Sequence, residues 1–430
     1  MYDLAVIGLG PGGMEAINIA LKNNLKVIAF EKEHVGGCCL NVGCIPTKAI
    51  LHSALSNFAV SSFNNIGLNL DGNINTDWSK ILSRKDDIVS KFKKGATSAL
   101  EKNITLIKSN ASLAKVGDDI VIKADSEIYQ AKNIIVSSGS IARELPNLKF
   151  NGDNILSSDD LYNLEKLPNS IAIVGSGAIG VEWGVIFASL GVEVTIIEKM
   201  PLLSPNMDIE VSKRLDRILK SYKIKCFKDD YIVDYSNSKV TLNSGAEFSA
   251  DKILVAVGRK PIMPESDFEI TINKDNHKET NYNNLFVIGD ATGYGMLAHS
   301  ASYDARNVMN KILFNKNFST QTIPAVIYIH PEIATVGIKE QDIDDSFQIK
   351  KLPLVTSAKA WADDATDGII KLIIKDNLIK GATVISNEAS SLIAIIKTFI
   401  DFEIPLDKIE DFIFPHPSYS ELISEVLKRG

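Results

Sequence analysis

The chain has 430 residues, enough at roughly 100–200 residues per domain for two to four domains, and its 45% hydrophobic and 23% charged residues are the balance of an ordinary soluble globular protein. A formal net charge of −7 gives no footing for nucleic acid or an anionic membrane as the main partner. No apolar run reaches the roughly 18 residues of a bilayer span, and the N-terminus opens on strand-like residues with no basic region ahead of an apolar one, so the expectation is a cytoplasmic protein without a secretory signal.

Residues 4–7 are apolar and β-prone and run into Gly8-Leu9-Gly10-Pro11-Gly12-Gly13. A helical stretch to about Lys22 follows, then a second strand over 25–30 that ends on Glu31. This is a βαβ opening with a Gly-x-Gly-x-x-Gly turn. The first glycine permits the tight turn, the second lets backbone amides approach a pyrophosphate, and the third lets the helix pack on the strand. The helix N-terminus offers partial positive charge to phosphates, and the acid accepts from a ribose hydroxyl. An amphipathic helix is expected over about 78–102, then a strand-rich stretch over about 104–136 that leads into Ser138-Gly139-Ser140. The opening pattern then returns: a strand over 171–174, the turn Gly175-Ser176-Gly177-Ala178-Ile179-Gly180, a helix to about Leu190, and a strand over 192–197 ending on Glu198. First glycine to acid is 23 positions in both copies, and this repeat predicts two dinucleotide sites. At the second site Glu198 favours the free 2'-hydroxyl of NAD over a 2'-phosphate, and only Lys199 follows where an NADP site usually places arginine. A strand over 253–257 reaches Gly258, and another over 285–288 ends on Gly289-Asp290. Past about residue 320 come strands over 325–329, 368–374 and 379–384 and helices over about 387–402 and 418–429.

Four cysteines are too few for a disulfide scaffold in a chain this long, and three of them, Cys38, Cys39 and Cys44, lie within seven residues. Pro46 sits just inside an expected helix through Lys48, which puts Cys44 near a helix N-terminus. The dipole there stabilises a thiolate, and Lys48 adds positive charge one turn on. Two thiols so placed suit thiol–disulfide exchange. A metal site would need two further ligands at zinc-like spacing; His34 and His52 flank the pair in no such pattern, so no metal is expected. Cys38 reads as a small packing residue and Cys226 as buried and inert. Near the C-terminus, Pro415 and Pro417 restrict the backbone at His416. A rigid histidine suits proton transfer, although a Pro-rich linker carrying a surface histidine is an alternative. Ser418-x-x-Glu421 also reads as a capping box for the last helix.

Gly36-Gly37-Cys38-Cys39-Leu40-Asn41-Val42-Gly43-Cys44-Ile45-Pro46-Thr47-Lys48 resembles the redox motif of the pyridine nucleotide–disulfide oxidoreductases, and its wording is most similar to the dihydrolipoamide dehydrogenase branch. The resemblance continues along nearly the whole chain. It implies an α/β fold with two Rossmann-like domains for FAD and NAD and a C-terminal α+β interface domain. The implied boundaries are 1–142 and 259–319 for FAD, 143–258 for NAD, and 320–430 for dimerisation. It implies FAD contacts at Gly8, Gly10, Gly13, Glu31, Lys32, Lys48, Ser138, Gly139, Ser140, Gly289, Asp290, Met296, Leu297, Ala298 and His299. For NAD it implies Gly175, Gly177, Ala178, Ile179, Gly180, Glu182, Glu198 and Gly258. Lys48 and Glu182 are implied to pair near the flavin N5 and the nicotinamide. The implied catalytic set is the Cys39–Cys44 redox disulfide, Lys48, Glu182 and a His416–Glu421 dyad that deprotonates the substrate thiol. A homodimer is implied, with His416 of one chain facing Cys39 of the other. The implied substrate is a free or protein-bound dithiol such as a lipoyl group, and a 2-oxoacid dehydrogenase or glycine cleavage complex is a candidate partner.

Some positions depart from the pattern. The chain is short for the family, mainly in surface loops and interface domain. Cys38 stands where threonine is common, Ser300 and Ala305 replace residues often Lys and Gly, and Ala389-Ser390-Ser391 lacks a frequent acid. A glutathione-reductase-like or other NAD(P)H-driven disulfide reductase remains the alternative, but the first helix offers no arginine for a peptide carboxylate. Mercuric reductase would carry extra cysteines near the C-terminus. A docking subunit of a 2-oxoacid dehydrogenase complex, the alternative from a different class, would not need Cys39, Cys44 and His416 together.

Overall fold

The computed structural model describes residues 1–72 and 74–429; Asn73 and Gly430, the last position of the expected interface domain, lie outside the described residues. The chain divides into two compact units, Met1–Ala49 with Lys80–Arg143 and Gly258–Thr320, and Ile50–Ser79 with Glu144–Val257 and Gln321–Gly430.

The first unit is built on a five-stranded parallel sheet in the order Leu285–Val287, Ala131–Val136, Tyr2–Ile7, Val27–Phe30, Thr105–Ile107. Its central strand is buried on both faces, so it reads as a continuous apolar run rather than an alternating one. Alternation still sorts the side chains. Leu4 and Val6 pack with Ile17 of the helix Pro11–Lys22 and Val308 and Met309 of the helix Ala298–Phe314. Ala5 and Ile7 pack on the other face with Leu113 and Ile122 of a small antiparallel sheet.

The second unit repeats the scheme. Its parallel sheet runs Lys225–Lys228, Glu193–Glu198, Ser170–Val174, Lys252–Val255, Ile155–Leu156. It also holds an antiparallel sheet of Ala325–Ile327, Glu332–Gly337, Leu378–Ser386, Ile369–Lys375 and Gln348–Pro353, on which the helices Ala389–Asp401 and Leu422–Arg429 bury Leu392, Ile396, Ile423 and Val426. The α/β class with a C-terminal α+β domain is therefore as expected.

Several expectations need correction. The last helix begins at Leu422, not 418, because 418–421 form turns that present side chains instead of a helical ladder. As expected, Cys44 stands at a helix N-terminus with Pro46 just inside; the helix begins at Cys44 itself, and Gly43 O accepts both the Thr47 amide and the Thr47 hydroxyl. The helical segment Gly37–Ile66 holds an 18-residue window with the length and hydropathy of a membrane span, although no such run was expected; a third of that window is buried in the protein, and the segment carries Cys38, Cys39, Cys44 and Lys48.

Candidate active site

The two glycine turns are copies in detail. In the first, Gly8 has φ +95° and a Cβ there would lie 2.3 Å from Ser137 O. A Cβ at Gly13 would lie 2.1 Å from Gly8 O, so strand and helix touch through backbone alone. The second turn gives φ +102° and 2.6 Å from Ala256 O at Gly175, and 2.1 Å from Gly175 O at Gly180. The middle glycines behave oppositely: a Cβ on Gly10 or Gly177 would meet nothing within 4 Å. Each of these two is the N-cap of its helix, with no side-chain cap. Open backbone at uncapped helix N-termini fits a pyrophosphate at both turns. Ala178 and Ile179 open the second helix, Ala178–Ser189. The acids are fixed in the same way, Glu31 accepting from Leu9 N–H at 2.8 Å and Glu198 from Ser176 N–H at 2.9 Å.

Around the first turn, Ser138 Oγ donates to Ile262 O, Ser140 Oγ donates to Asp290 at 2.5 Å, and Arg259 donates through Nε to Ser140 Oγ and through Nη2 to Ser140 O, both at 2.8 Å. Gly139 has φ +76° and Gly289 φ +62°, and Gly289 N–H donates to Asp304, itself paired with Lys278 at 3.1 Å. Asp290 is thus oriented from one side, with acceptor capacity left for a polyol such as a ribityl chain. Met296 and Leu297 lead into the helix that Ala298 and His299 begin. Lys32, expected at FAD, is exposed and paired with Glu33 at 3.3 Å. In the second unit Glu182 is 5% exposed and accepts the Tyr328 amide at 3.0 Å. Gly258 has φ +102° with open space where a Cβ would stand.

Cys39 is half-buried and Cys44 exposed at the first position of its helix. The Cys39 thiol is pushed above the usual thiol range, first by its hydrogen bond with Cys44 and then by burial. Cys44, at the helix N-terminus, is the sulfur better placed to carry thiolate charge. Gly43 lets the chain close on itself here, since a Cβ would lie 2.8 Å from Cys38 O. Cys38 is not the packing residue expected: it is exposed, with Sγ 3.6 Å from Val42 O, because the short helix Gly37–Asn41 turns it outward. Cys226 is half-buried rather than fully buried, and burial pushes its thiol up to about 12. Among the described residues no three His, Cys, Asp or Glu side chains group as metal ligands.

At the C-terminus both readings of Glu421 operate at once. Oε1 accepts the Ser418 N–H at 3.2 Å, half of a capping box, while Ser418 Oγ pairs with Ser420 instead of completing it. Oε2 meets His416 Nδ1 at 2.9 Å. The His416 side chain is 74% exposed, so with Nδ1 held by the carboxylate the ring presents Nε2 outward. Between them Tyr419 is buried at 1% exposure and anchors the turn in the core of its domain.

The model of the pyridine nucleotide-disulphide oxidoreductases matches residues 2–305, and that of their dimerisation domain matches 323–427. The chain belongs to that family. It is an oxidoreductase of the pyridine nucleotide–disulfide type, and the family's cofactors are FAD and NAD(H). The chain is 32% identical to the dihydrolipoyl dehydrogenase of Mycoplasma pneumoniae, covering 100% of this chain and 98% of the relative, and 32% identical to that of Bacillus subtilis, covering 99% and 97%. Among solved structures it resembles LpdA of Mycobacterium tuberculosis, with TM-score 0.91, 23% identity and 99% of each chain covered. It also resembles the HOCl-induced flavoprotein disulfide reductase RclA of Escherichia coli, with TM-score 0.86, 24% identity and 100% of each chain covered; both likenesses concern the fold.

Three participants were not singled out from the sequence: Arg259, Ser176 and the Tyr328 amide. Arg259 directly follows Gly258 and could have been flagged as a charge at a strand end. The others act through backbone groups or hydroxyls that carry no sequence signal.

Proposed function

We propose that the chain is a dihydrolipoamide dehydrogenase, which oxidises dihydrolipoamide to lipoamide and passes hydride to NAD. The observation that supports it best is the His416–Glu421 contact, with Nε2 presented outward, in a chain full-length similar to proteins of that name. FAD is assigned to 1–142 with 259–319 and NAD to 143–258, on the two turns. The segment 320–430 is assigned to dimerisation, with His416 serving Cys39 of a second copy. His416 Nε2 takes a proton from one substrate thiol, and Glu421 holds the ring and stabilises its charge. The thiolate attacks Cys39 Sγ, the Cys39–Cys44 bond breaks, and Cys44 leaves as thiolate. The second substrate thiol then attacks the substrate sulfur of the mixed disulfide; lipoamide departs and Cys39 keeps the proton. FAD, when bound, supplies the two-electron transfer between this dithiol and NAD. Lys48 and Glu182 are assigned to the reacting rings. A cytoplasmic location is proposed together with that activity. A lipoyl-bearing 2-oxoacid dehydrogenase or glycine cleavage complex is the proposed partner.

Steady-state assay of the purified holoenzyme tests this. Turnover of dihydrolipoamide with NAD should exceed NAD(P)H-driven reduction of any non-lipoyl disulfide in a panel. Preference for another disulfide would assign the protein to a different branch.

A further inference from the structure

The two acids differ in one respect. Glu31 is half-buried and, among the described residues, accepts from the backbone amides of Leu9, Glu33 and His34. Glu198 is 8% exposed and accepts from Ser176 N–H at 2.9 Å, Ser176 Oγ at 2.7 Å and Met200 N–H at 2.9 Å. The cause is the second residue of each turn: Leu9 brings an amide, Ser176 an amide and a hydroxyl. The Ser176 hydroxyl is fully buried and also accepts from Ser204 N–H at 2.8 Å, while Ser204 Oγ donates to Ser176 O at 2.6 Å. Ser204 is itself 2% exposed and holds φ +46°, uncommon for a residue with a side chain. Its neighbours tie the segment down further, with Ser212 Oγ donating to Leu203 O and Met207 N–H to Ser204 O. The loop that leaves the end of the strand Glu193–Glu198 is thus pinned back onto the glycine turn.

We propose that this serine clasp is a second determinant of nucleotide choice, resting on the reading of the Gly175 turn as the NAD site. A carboxylate offers about four lone-pair positions, and three here are occupied. The remaining one suits the 2'-hydroxyl of NAD, which donates. A 2'-phosphate brings only acceptors and needs space that the pinned loop occupies. Glu198 supplies repulsion and Ser176 with Ser204 supply closure. Removing the charge alone leaves the site shut.

Calorimetric titration of the FAD-loaded holoenzyme with 5'-AMP and with adenosine 2',5'-bisphosphate tests this without turnover. Wild type should bind 5'-AMP in competition with NADH and bind the bisphosphate far more weakly. Glu198→Gln and Ser204→Gly should each improve bisphosphate binding by less than about threefold. Together they should exceed the product of the single gains by about tenfold, the signature of coupled groups. Ser176→Ala combined with Glu198→Gln should show the same excess with the loop sequence intact, so that a folding failure of one pair does not decide the matter. Gains that multiply within about twofold would place selectivity on Glu198 alone and overturn the clasp. Wild-type binding of 5'-AMP that NADH does not displace would overturn the site reading instead.

Discussion

Lys371→Met should destabilise the protein through the second unit. Lys371 is fully buried in the strand Ile369–Lys375 and pairs with Asp208, the N-cap of the helix Ile209–Ser221, and with Glu340 at 2.9 Å. Lys351 pairs with the same Glu340 oxygen at 3.0 Å and with Glu210 at 3.1 Å, so one network fastens that helix to the C-terminal sheet. Breaking a buried pair from one side costs about 3–5 kcal/mol. Asp208 would keep the amides of Glu210 and Glu340, and Glu340 would keep Lys351, which puts the expected loss at the low end, about 3 kcal/mol. The Glu340 carboxyl bears this out: burial pushes it up, but hydrogen bonds from Lys371 and Lys351 outweigh that and hold it at about 2, against 4.5. At about 1.4 kcal/mol per unit the drop from 4.5 to about 2 is roughly 3.5 kcal/mol, shared between the two lysines, and partial exposure of Glu340 brings it to about 1–3. A depressed carboxyl stabilises the fold above its unfolded value of 4.5, and that stability is lost as pH falls from there toward 2. Urea unfolding of the two holoenzymes should show the deficit at pH 7, and the gap should narrow below about pH 4.5. Lys371→Met with Asp208→Asn should recover at least about 1 kcal/mol, since no buried charge is then left at that end. A deficit under about 1 kcal/mol at pH 7, or one that widens in acid, would show that Lys371 does not hold a buried ion-pair network together.

Three other experiments probe the C-terminal dyad and its support. Glu421→Gln keeps an oxygen for the Ser418 amide but removes the charge beside His416; kcat/KM for dihydrolipoamide should fall by about tenfold or more while stability changes by less than about 1 kcal/mol, whereas unchanged turnover would reduce Glu421 to a cap. The Tyr419 hydroxyl is buried and makes no well-formed hydrogen bond among the described residues, although the Asp363 carboxylate lies near it, so Tyr419→Phe should leave stability unchanged or raise it by about 1 kcal/mol in thermal melts; a loss of that size would mean that the hydroxyl is bound to Asp363. Mixed dimers of Cys39→Ser and His416→Ala should regain about half the wild-type activity if each site draws on both chains, since one site then carries both lesions and the other none. No recovery would place each site within a single chain.

What was legible in the sequence were features whose cause is local. Glycine spacing is set by backbone contacts within one turn, so both dinucleotide turns and the distance to their acids could be read from residue order. The two demands on Glu421 could also be read, because Ser418 and His416 lie three and five residues away. Cys38 misled because its exposure depends on a short helix whose start at Gly36, φ +90°, leaves no periodic signal. The clasp and the lysine network were out of reach for another reason. Ser204 meets Ser176 across 28 positions and Lys371 meets Asp208 across 163, and each residue type is individually ordinary where it stands.

On the proposed mechanism, Cys39 and Cys44 exchange electrons with dihydrolipoamide in distinct roles. Anaerobic titration of the holoenzyme with one equivalent of dihydrolipoamide, followed by absorbance, tests it most directly. Wild type should develop a long-wavelength thiolate-to-flavin band, Cys39→Ser should show it without reductant because Cys44 is then a free thiolate, and Cys44→Ser should lack it. Identical behaviour of the two variants, or wild-type protein that dihydrolipoamide leaves oxidised, would contradict these roles.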